Sequence, residues 1–158
     1  HEGPVYIRLF RRQAENVFDD DYEFDLGKAD LLRDGSDVTL IASGVCVANA
    51  LQAAETLAQE GVTARVLNIH TIKPIDADAV IKAASETGAL VTAENHNVIG
   101  GLGSAVAEVL AEQRPTPLER VGVKDHFGQV GKAPYLMGVF GITAADIAKA
   151  ARKAIARK

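Results

Sequence analysis

Residues 38–69 read VTLIASGVCVANALQAAETLAQEGVTARVLNI, and the order of patterns inside that stretch decides the fold. It opens with an uncharged, β-prone run at 38–42 and closes with a second apolar run at 64–69. Between them Val47, Ala50, Leu51, Ala54, Leu57 and Ala58 recur at helical steps, with Gln52, Glu55 and Gln59 opposite and Gly61 ending the run. Strand, amphipathic helix and strand in that order predict parallel strands joined by a crossover helix. Runs that are apolar without alternation suit strands covered on both faces.

The same alternation extends in both directions. Further strands are expected at 89–93 and 118–123, and an edge-like one at 29–33, joined to 38–42 by the turn Asp34-Gly35-Ser36. Pro74 and Asp76 introduce a helix over 77–85 that Gly88 ends, and a third helix over 104–113 stops before Pro115 and Pro117. The last helix starts at Thr143, whose hydroxyl can cap it with Asp146 three residues on; Ile147, Ala151, Ala154 and Ile155 form its apolar stripe. Lys153, Arg157 and Lys158 suit its C-terminal dipole. The class is α/β.

With 158 residues and 47% apolar content the chain suits one compact domain. Its 17 Lys and Arg against 21 Asp and Glu give a net charge of −4, without the basic face that nucleic acid requires. No apolar run reaches the ~18–20 residues that cross a bilayer. The single cysteine, Cys46, allows neither an internal disulfide nor a thiolate zinc cluster. It is expected as a small buried residue, and the expected location is cytoplasmic.

Residues 1–28 stand outside the alternation. A strand-like run at 5–9 is followed by Arg11, Arg12 and the acidic stretch 19–25, so 10–28 is expected as a linker wrapped on a surface. The acidic stretch lacks the glycine and spaced ligands of a calcium loop. A strand before a linker predicts that 1–28 is the last strand of a preceding domain plus its connection, with the main domain at 29–158.

In a parallel sheet, ligands gather beyond the carboxyl ends of the strands, where helix N-termini point free amides. His70, His96 and His126 all follow expected strands. Hydrogen-bonding to neighbouring backbone is preferred for them over holding a phosphate, and no metal is expected. Gly100-Gly101-Leu102-Gly103-Ser104 follows a strand and opens a helix. Two readings stay open for it: an anion bound on free amides, or close packing of helix on sheet. Ser43-Gly44 makes a similar turn, with Ser43 read as a helix N-cap. Glu94, at the crevice mouth, is read as a capping or salt-bridge carboxylate. No Ser-His-Asp elbow and no HExxH is present, so the residues alone indicate a helper domain or a module binding an anionic metabolite.

A series of motifs points further: Gly3-Pro4-Val5-Tyr6-Ile7-Arg8-Leu9 with Arg11, Gly27-Lys28-Ala29, Ser43-Gly44, Lys73-Pro74-Ile75-Asp76, Glu94-Asn95-His96-Asn97 running into Gly100-Gly101-Leu102-Gly103-Ser104, Asp125-His126-Phe127 and Gly141-Ile142-Thr143. In order and spacing they resemble the C-terminal portion of transketolase-like enzymes over essentially the whole chain. The resemblance is strongest to separately encoded C-terminal transketolase subunits, then to 1-deoxy-xylulose-5-phosphate synthase, and more distant to 2-oxoacid dehydrogenase β subunits.

That resemblance implies a three-layer Rossmann-like sandwich with one antiparallel strand, serving dimer contact and regulation. The intact enzyme it implies uses thiamine diphosphate and magnesium to move a two-carbon ketol unit between sugar phosphates. The family's Gly-Asp-Gly motif and cofactor-activating glutamate are not in this sequence, so the chain is expected to bind no cofactor and catalyse nothing alone, partnering thiamine-binding domains or a subunit and forming a homodimer. Arg11 stands where the family's substrate-phosphate arginine stands, and a guanidinium fork suits phosphate oxygens. Phe10, where many split transketolases carry glycine, and Asn95, where an acidic pair is common, depart from the pattern. An effector crevice at Ser43, Gly44, His70, His96, Gly100, Gly101, Gly103 and Ser104 is a further expectation.

Overall fold

A computed structural model describes residues 2–7 and 15–158. The period-2 alternation of the strands builds two cores on opposite faces of one sheet. The sheet runs β1 (Asp30–Arg33), β3 (Ala64–Asn68), β2 (Val38–Ala42), β4 (Leu90–Asn97), β5 (Leu118–Val123), with only β1 antiparallel. On one face Val38, Leu40, Val66, Val91 and Ala93 pack under α1 (Cys46–Gln59) and α5 (Ala144–Ile155). On the other, Ile41, Ile69 and Leu90 pack under α2 (Ala77–Thr87) and α3 (Leu102–Gln113). Alternate side chains of β2 therefore feed different layers, which is why its sequence is uninterrupted by charge. The one polar side chain there, Thr39, is satisfied by Thr87 at 2.9 Å. The three-layer α/β sandwich is the architecture expected.

The caps read from sequence hold at both ends of the chain's second half. Thr143 Oγ1 accepts from Asp146 N at 3.3 Å, and Asp146 Oδ2 accepts from Thr143 N at 3.1 Å. Asp76 caps α2 by accepting from Ala79 N, and its other oxygen accepts from Ala29 N at 3.0 Å, tying the approach to β1 to the start of α2. Lys153 and Arg157 do more than face a dipole: both bond Glu119 on β5, Lys153 Nζ at 2.8 Å.

Glu119 makes that docking pH-dependent. Burial pushes its carboxyl up, but the Lys153 and Arg157 hydrogen bonds outweigh this and hold it below the ordinary 4.5. A lowered folded value stabilises fully above the unfolded value, and the contribution is lost as pH falls from about 4.5 through the folded value. Glu119→Gln should flatten the acid side of the stability–pH profile in that window and leave the neutral side parallel to wild type, as measured by urea midpoints. Unchanged acid dependence would show that the pair contributes nothing.

Several sequence expectations are corrected. The turn Asp34-Gly35-Ser36 does not join neighbouring strands, because β3 lies between β1 and β2. β4 runs on to Asn97, past an irregularity after Ala93, because Asn97 still pairs with Val123. Helix α3 begins two residues early, at Leu102. A helix α4 (Ala133–Phe140) was not expected; it buries no side chain and so leaves no periodic stripe, although Pro134 at its start and Gly141 at its left-handed end are its boundary signals. Residues 5–7 form no strand, and positions 8 and 9 of that expected run lie outside the described residues.

Candidate functional site

The connections run in opposite directions from β2 and β4, which are parallel neighbours: β2 leads through α1 to β3 on one side, while β4 leads through α3 to β5 on the other. A crevice opens where two such connections part. The first wall is Ser43-Gly44, with Gly44 in the left-handed region at φ 55°. A Cβ at Gly44 would meet nothing nearer than Asn95 Oδ1, at 4.0 Å. Ser43 is not the expected cap, since Val45 takes the N-cap position without any side-chain bond and Ser43 contributes its carbonyl to Cys46 N at 3.2 Å. Cys46 beneath it is fully buried, and burial, then the charge of Glu94, pushes its thiol up to about 12, so it stays a protonated core residue.

The second wall is the glycine turn. Glu94 follows the outward-inward alternation of β4 onto the α3 face and is 2% exposed. Its Oε2 accepts from Leu102 N and its Oε1 from Gly103 N, both at 2.8 Å. The next two amides, Ser104 and Ala105, turn to Gly101 O at 3.1 Å, and Gly100 N donates to Ser104 Oγ at 2.9 Å. The positive end of α3 is thus filled by the protein's own carboxylate. Gly101 is required for it: a Cβ there would lie 1.9 Å from Glu94 Oε2. At Gly103 a Cβ would meet Thr92 Oγ1 at 2.8 Å. Of the two readings left open for this turn, close helix-to-sheet packing is what these distances describe. The capping role read for Glu94 is what its bonds perform.

A groove of about 440 Å³ joins Gly100, Gly101 and Ser104 to Ile72 and Lys73. Its charged lining is Lys73 against Glu108 and Glu112, a balance that does not favour an anion. His96 stands exposed at the end of β4 and His126 exposed beyond β5. His70 does not join the crevice. Its ring lies 4.4 Å from that of Phe24, its Nδ1 is 2.7 Å from Thr71 Oγ1, and its Nε2 is 3.9 Å from Asp30 Oδ2. Arg11 lies outside the described residues.

His70 belongs to a polar cluster that sequence reading missed. Tyr22 OH donates to Asp30 at 3.1 Å, Asn68 Nδ2 donates to the same carboxylate at 2.8 Å, and Gly27 N donates to Thr71 Oγ1 at 3.2 Å. Burial and then the Asp30 hydrogen bond raise the Tyr22 hydroxyl above its ordinary 10.0, so it remains a donor. The cluster straps residues 22–29 across the β1–β3 edge; its one sequence signal was a tyrosine embedded in the acidic run.

Residues 27–147 match the family described as transketolase, C-terminal domain. The chain belongs to the transketolase C-terminal domain family. It is 58% identical over its whole length to the 6-deoxy-6-sulfo-D-fructose transketolase subunit SqwH of Clostridium sp. (strain MSTE9), covering 49% of that protein. It is 39% identical, again over its whole length, to 1-deoxy-D-xylulose-5-phosphate synthase 1 of Geobacter sulfurreducens (strain ATCC 51573 / DSM 12127 / PCA), covering 25% of it. A solved structure described as a split gene transketolase, inactive beta4 tetramer, superposes with a TM-score of 0.85 at 46% identity, over 90% of this chain and 46% of that one. The chain spans about half the length of its split-transketolase relatives. Within the transketolase C-terminal fold, then, the glycine turn is a structural joint at the sheet's switch point. No group of three or more His, Cys, Asp or Glu among the described residues could hold a metal ion.

Proposed function

We propose that this chain is the C-terminal part of a thiamine-diphosphate-dependent transketolase, active in two-carbon ketol transfer only together with a thiamine-binding subunit or domain. Similarity over the whole of this chain to about half of a transketolase subunit, with a glycine turn whose helix amides are taken up by Glu94, supports this reading. The described residues do not fit the cofactor. A diphosphate with its metal needs free amides and a carboxylate set, whereas the amides of α3 are already engaged by Glu94 and no metal-ligating group is assembled among the described residues. The cofactor supplies the carbanion chemistry from elsewhere in the enzyme. This chain's part is to hold its partner and, through Arg11, to present a guanidinium to the anionic end of the sugar. Copies of the chain also associate with one another, as the beta4 relative does.

Mixing the chain with a candidate thiamine-binding subunit and assaying ketol transfer from a panel of ketose phosphates and sulfo-sugars tests the reading. Activity is expected from the mixture and from neither component alone. Arg11→Ala should raise KM for the anionic donor by roughly 10- to 100-fold, the loss of one charge-assisted contact. Turnover by the chain alone, or an unchanged KM, would remove the subunit role or the Arg11 assignment respectively.

A further inference from the structure

We propose that His70 is a protonation-operated latch: charged, it draws residues 22–29 onto the β1–β3 edge, and neutral, it lets them loosen. The His70 side chain is 16% exposed, and its Nε2 is buried without a hydrogen-bond partner among the described residues. Asp30 Oδ2 stands 3.9 Å from that nitrogen. Asp30 accepts from Tyr22 OH and Asn68 Nδ2, which are neutral donors, and His70 is its only ion-pair partner among the described residues.

The other ring nitrogen fits the same reading. Thr71 Oγ1 accepts from Gly27 N at 3.2 Å, so its own proton can go to His70 Nδ1, 2.7 Å away. That leaves the neutral ring's one proton on Nε2, with no acceptor in reach. In the imidazolium both nitrogens donate: Nδ1 to the second lone pair of Thr71 Oγ1, and Nε2 toward Asp30 after a closure of about 1 Å. Phe24 adds a third contact, its ring centroid 4.4 Å from that of His70, inside the ~6 Å at which an aromatic face attracts a cation. Three residues of the strap therefore touch His70 or one of its partners: Phe24 the ring, Gly27 Thr71, and Tyr22 Asp30.

Histidine is the side chain that ordinarily changes charge between about pH 5 and 8. The closed strap surrounds the ring with acceptors, so closure and proton uptake favour one another and the strap tightens as the pH falls through that range. The titratable groups facing the ring are Asp30 from β1 and Tyr22 from the strap; Tyr22, held above its ordinary value, stays a neutral donor throughout. The strap's Glu23, Asp25 and Lys28 are exposed. Asp76, at the start of α2, is engaged by Ala29 N, and Lys73 lines the groove beside α3.

Hydrogen exchange of the full chain at about pH 8 and about pH 6, corrected for intrinsic rates, tests this at the Gly27 amide. Its protection should rise by roughly 3- to 10-fold in wild type, the effect of one half-buried charged contact. The rise should vanish in His70→Gln and shrink in Phe24→Leu, whose side chain is 60% exposed. It should persist in His96→Gln, since His96 is exposed on β4, which β2 separates from β3. A flat wild type, a full rise in His70→Gln, or a rise lost in His96→Gln would each overturn the latch. If His70→Gln unfolds the chain, seen as lost protection across β2, then Phe24→Leu decides: a rise as large as in wild type overturns the latch, and a smaller one supports it.

Discussion

Gly101→Ala is expected to cost about 3–5 kcal/mol of stability, although it adds a single methyl group. The Cβ would stand 1.9 Å from Glu94 Oε2 and 2.8 Å from its Cδ, with Asn97 O at 2.9 Å closing the remaining side. The carboxylate cannot retreat without giving up its bonds to the amides of Leu102 and Gly103, both at 2.8 Å. Either the turn opens and α3 lifts from the sheet, or Glu94 leaves the amides of Leu102 and Gly103 and remains a buried charge without partners. Breaking a buried charged contact from one side costs ~3–5 kcal/mol. Urea unfolding of the full chain measures it. Gly100→Ala is the internal comparison: its φ is 76° but nothing lies within 4 Å of a Cβ, so it should lose only the ~1–2 kcal/mol of left-handed strain. Glu94→Gln should fall between, since an amide can accept from only one of the two backbone donors, leaving the other facing its NH₂. Equal losses at Gly100 and Gly101 would show that the carboxylate does not hold this turn.

The same pair of glycines shows how far the site could be read from sequence. That residues 100–104 make a strand-to-helix turn was legible, because glycines between an apolar run and a helical stripe admit few other conformations. Which of its amides are free was not. That depends on Glu94 reaching across from the same strand eight residues earlier, and on β5 lying beside it with Gly122 to make room. A carboxylate before a helix looks the same in sequence whether it caps that helix or faces solvent. His70 illustrates the converse. Its position after β3 was right, but its ring turns to the β1 edge because residues 22–29 cross there, and an acidic run carries no periodicity from which such a strap could be inferred. The central strands needed no partner information at all, since a strand covered on both faces is apolar in whatever order its neighbours come. Strand order is different, because it depends on contacts between distant segments.

Gly35 is where that order leaves a measurable mark. Were β1 and β2 a hairpin, residues 34–36 would be an exposed turn and Gly35→Ala nearly neutral. Instead β1 lies beyond β3, and the connection crosses the start of that strand. A Cβ on Gly35 would lie 2.5 Å from Ala64 C, 2.6 Å from Arg65 N and 2.8 Å from Ala64 O, all backbone atoms that no rotamer change can move. The crossing is held down on both sides. Asp37 N donates to Thr63 O at 2.9 Å, Thr63 N donates to Asp37 Oδ2 at 2.7 Å, and Arg65 Nε donates to Asp34 Oδ1 at 2.9 Å. Gly35→Ala must therefore lift the connection off β3, with an overpacking cost of about 3 kcal/mol. The loss should be local as well as global. Among the described residues β1 pairs only with β3, so the amides of 30–33 should lose hydrogen-exchange protection well before those of β2, whose partners β3 and β4 flank it on both sides. Loosening β1 also slackens Asp30, which anchors Tyr22 and Asn68, so cleavage within 22–29 by a dilute protease should accelerate in the same variant. If Gly35→Ala proves neutral and the 30–33 amides stay protected, the connection does not cross β3 and β1 pairs elsewhere.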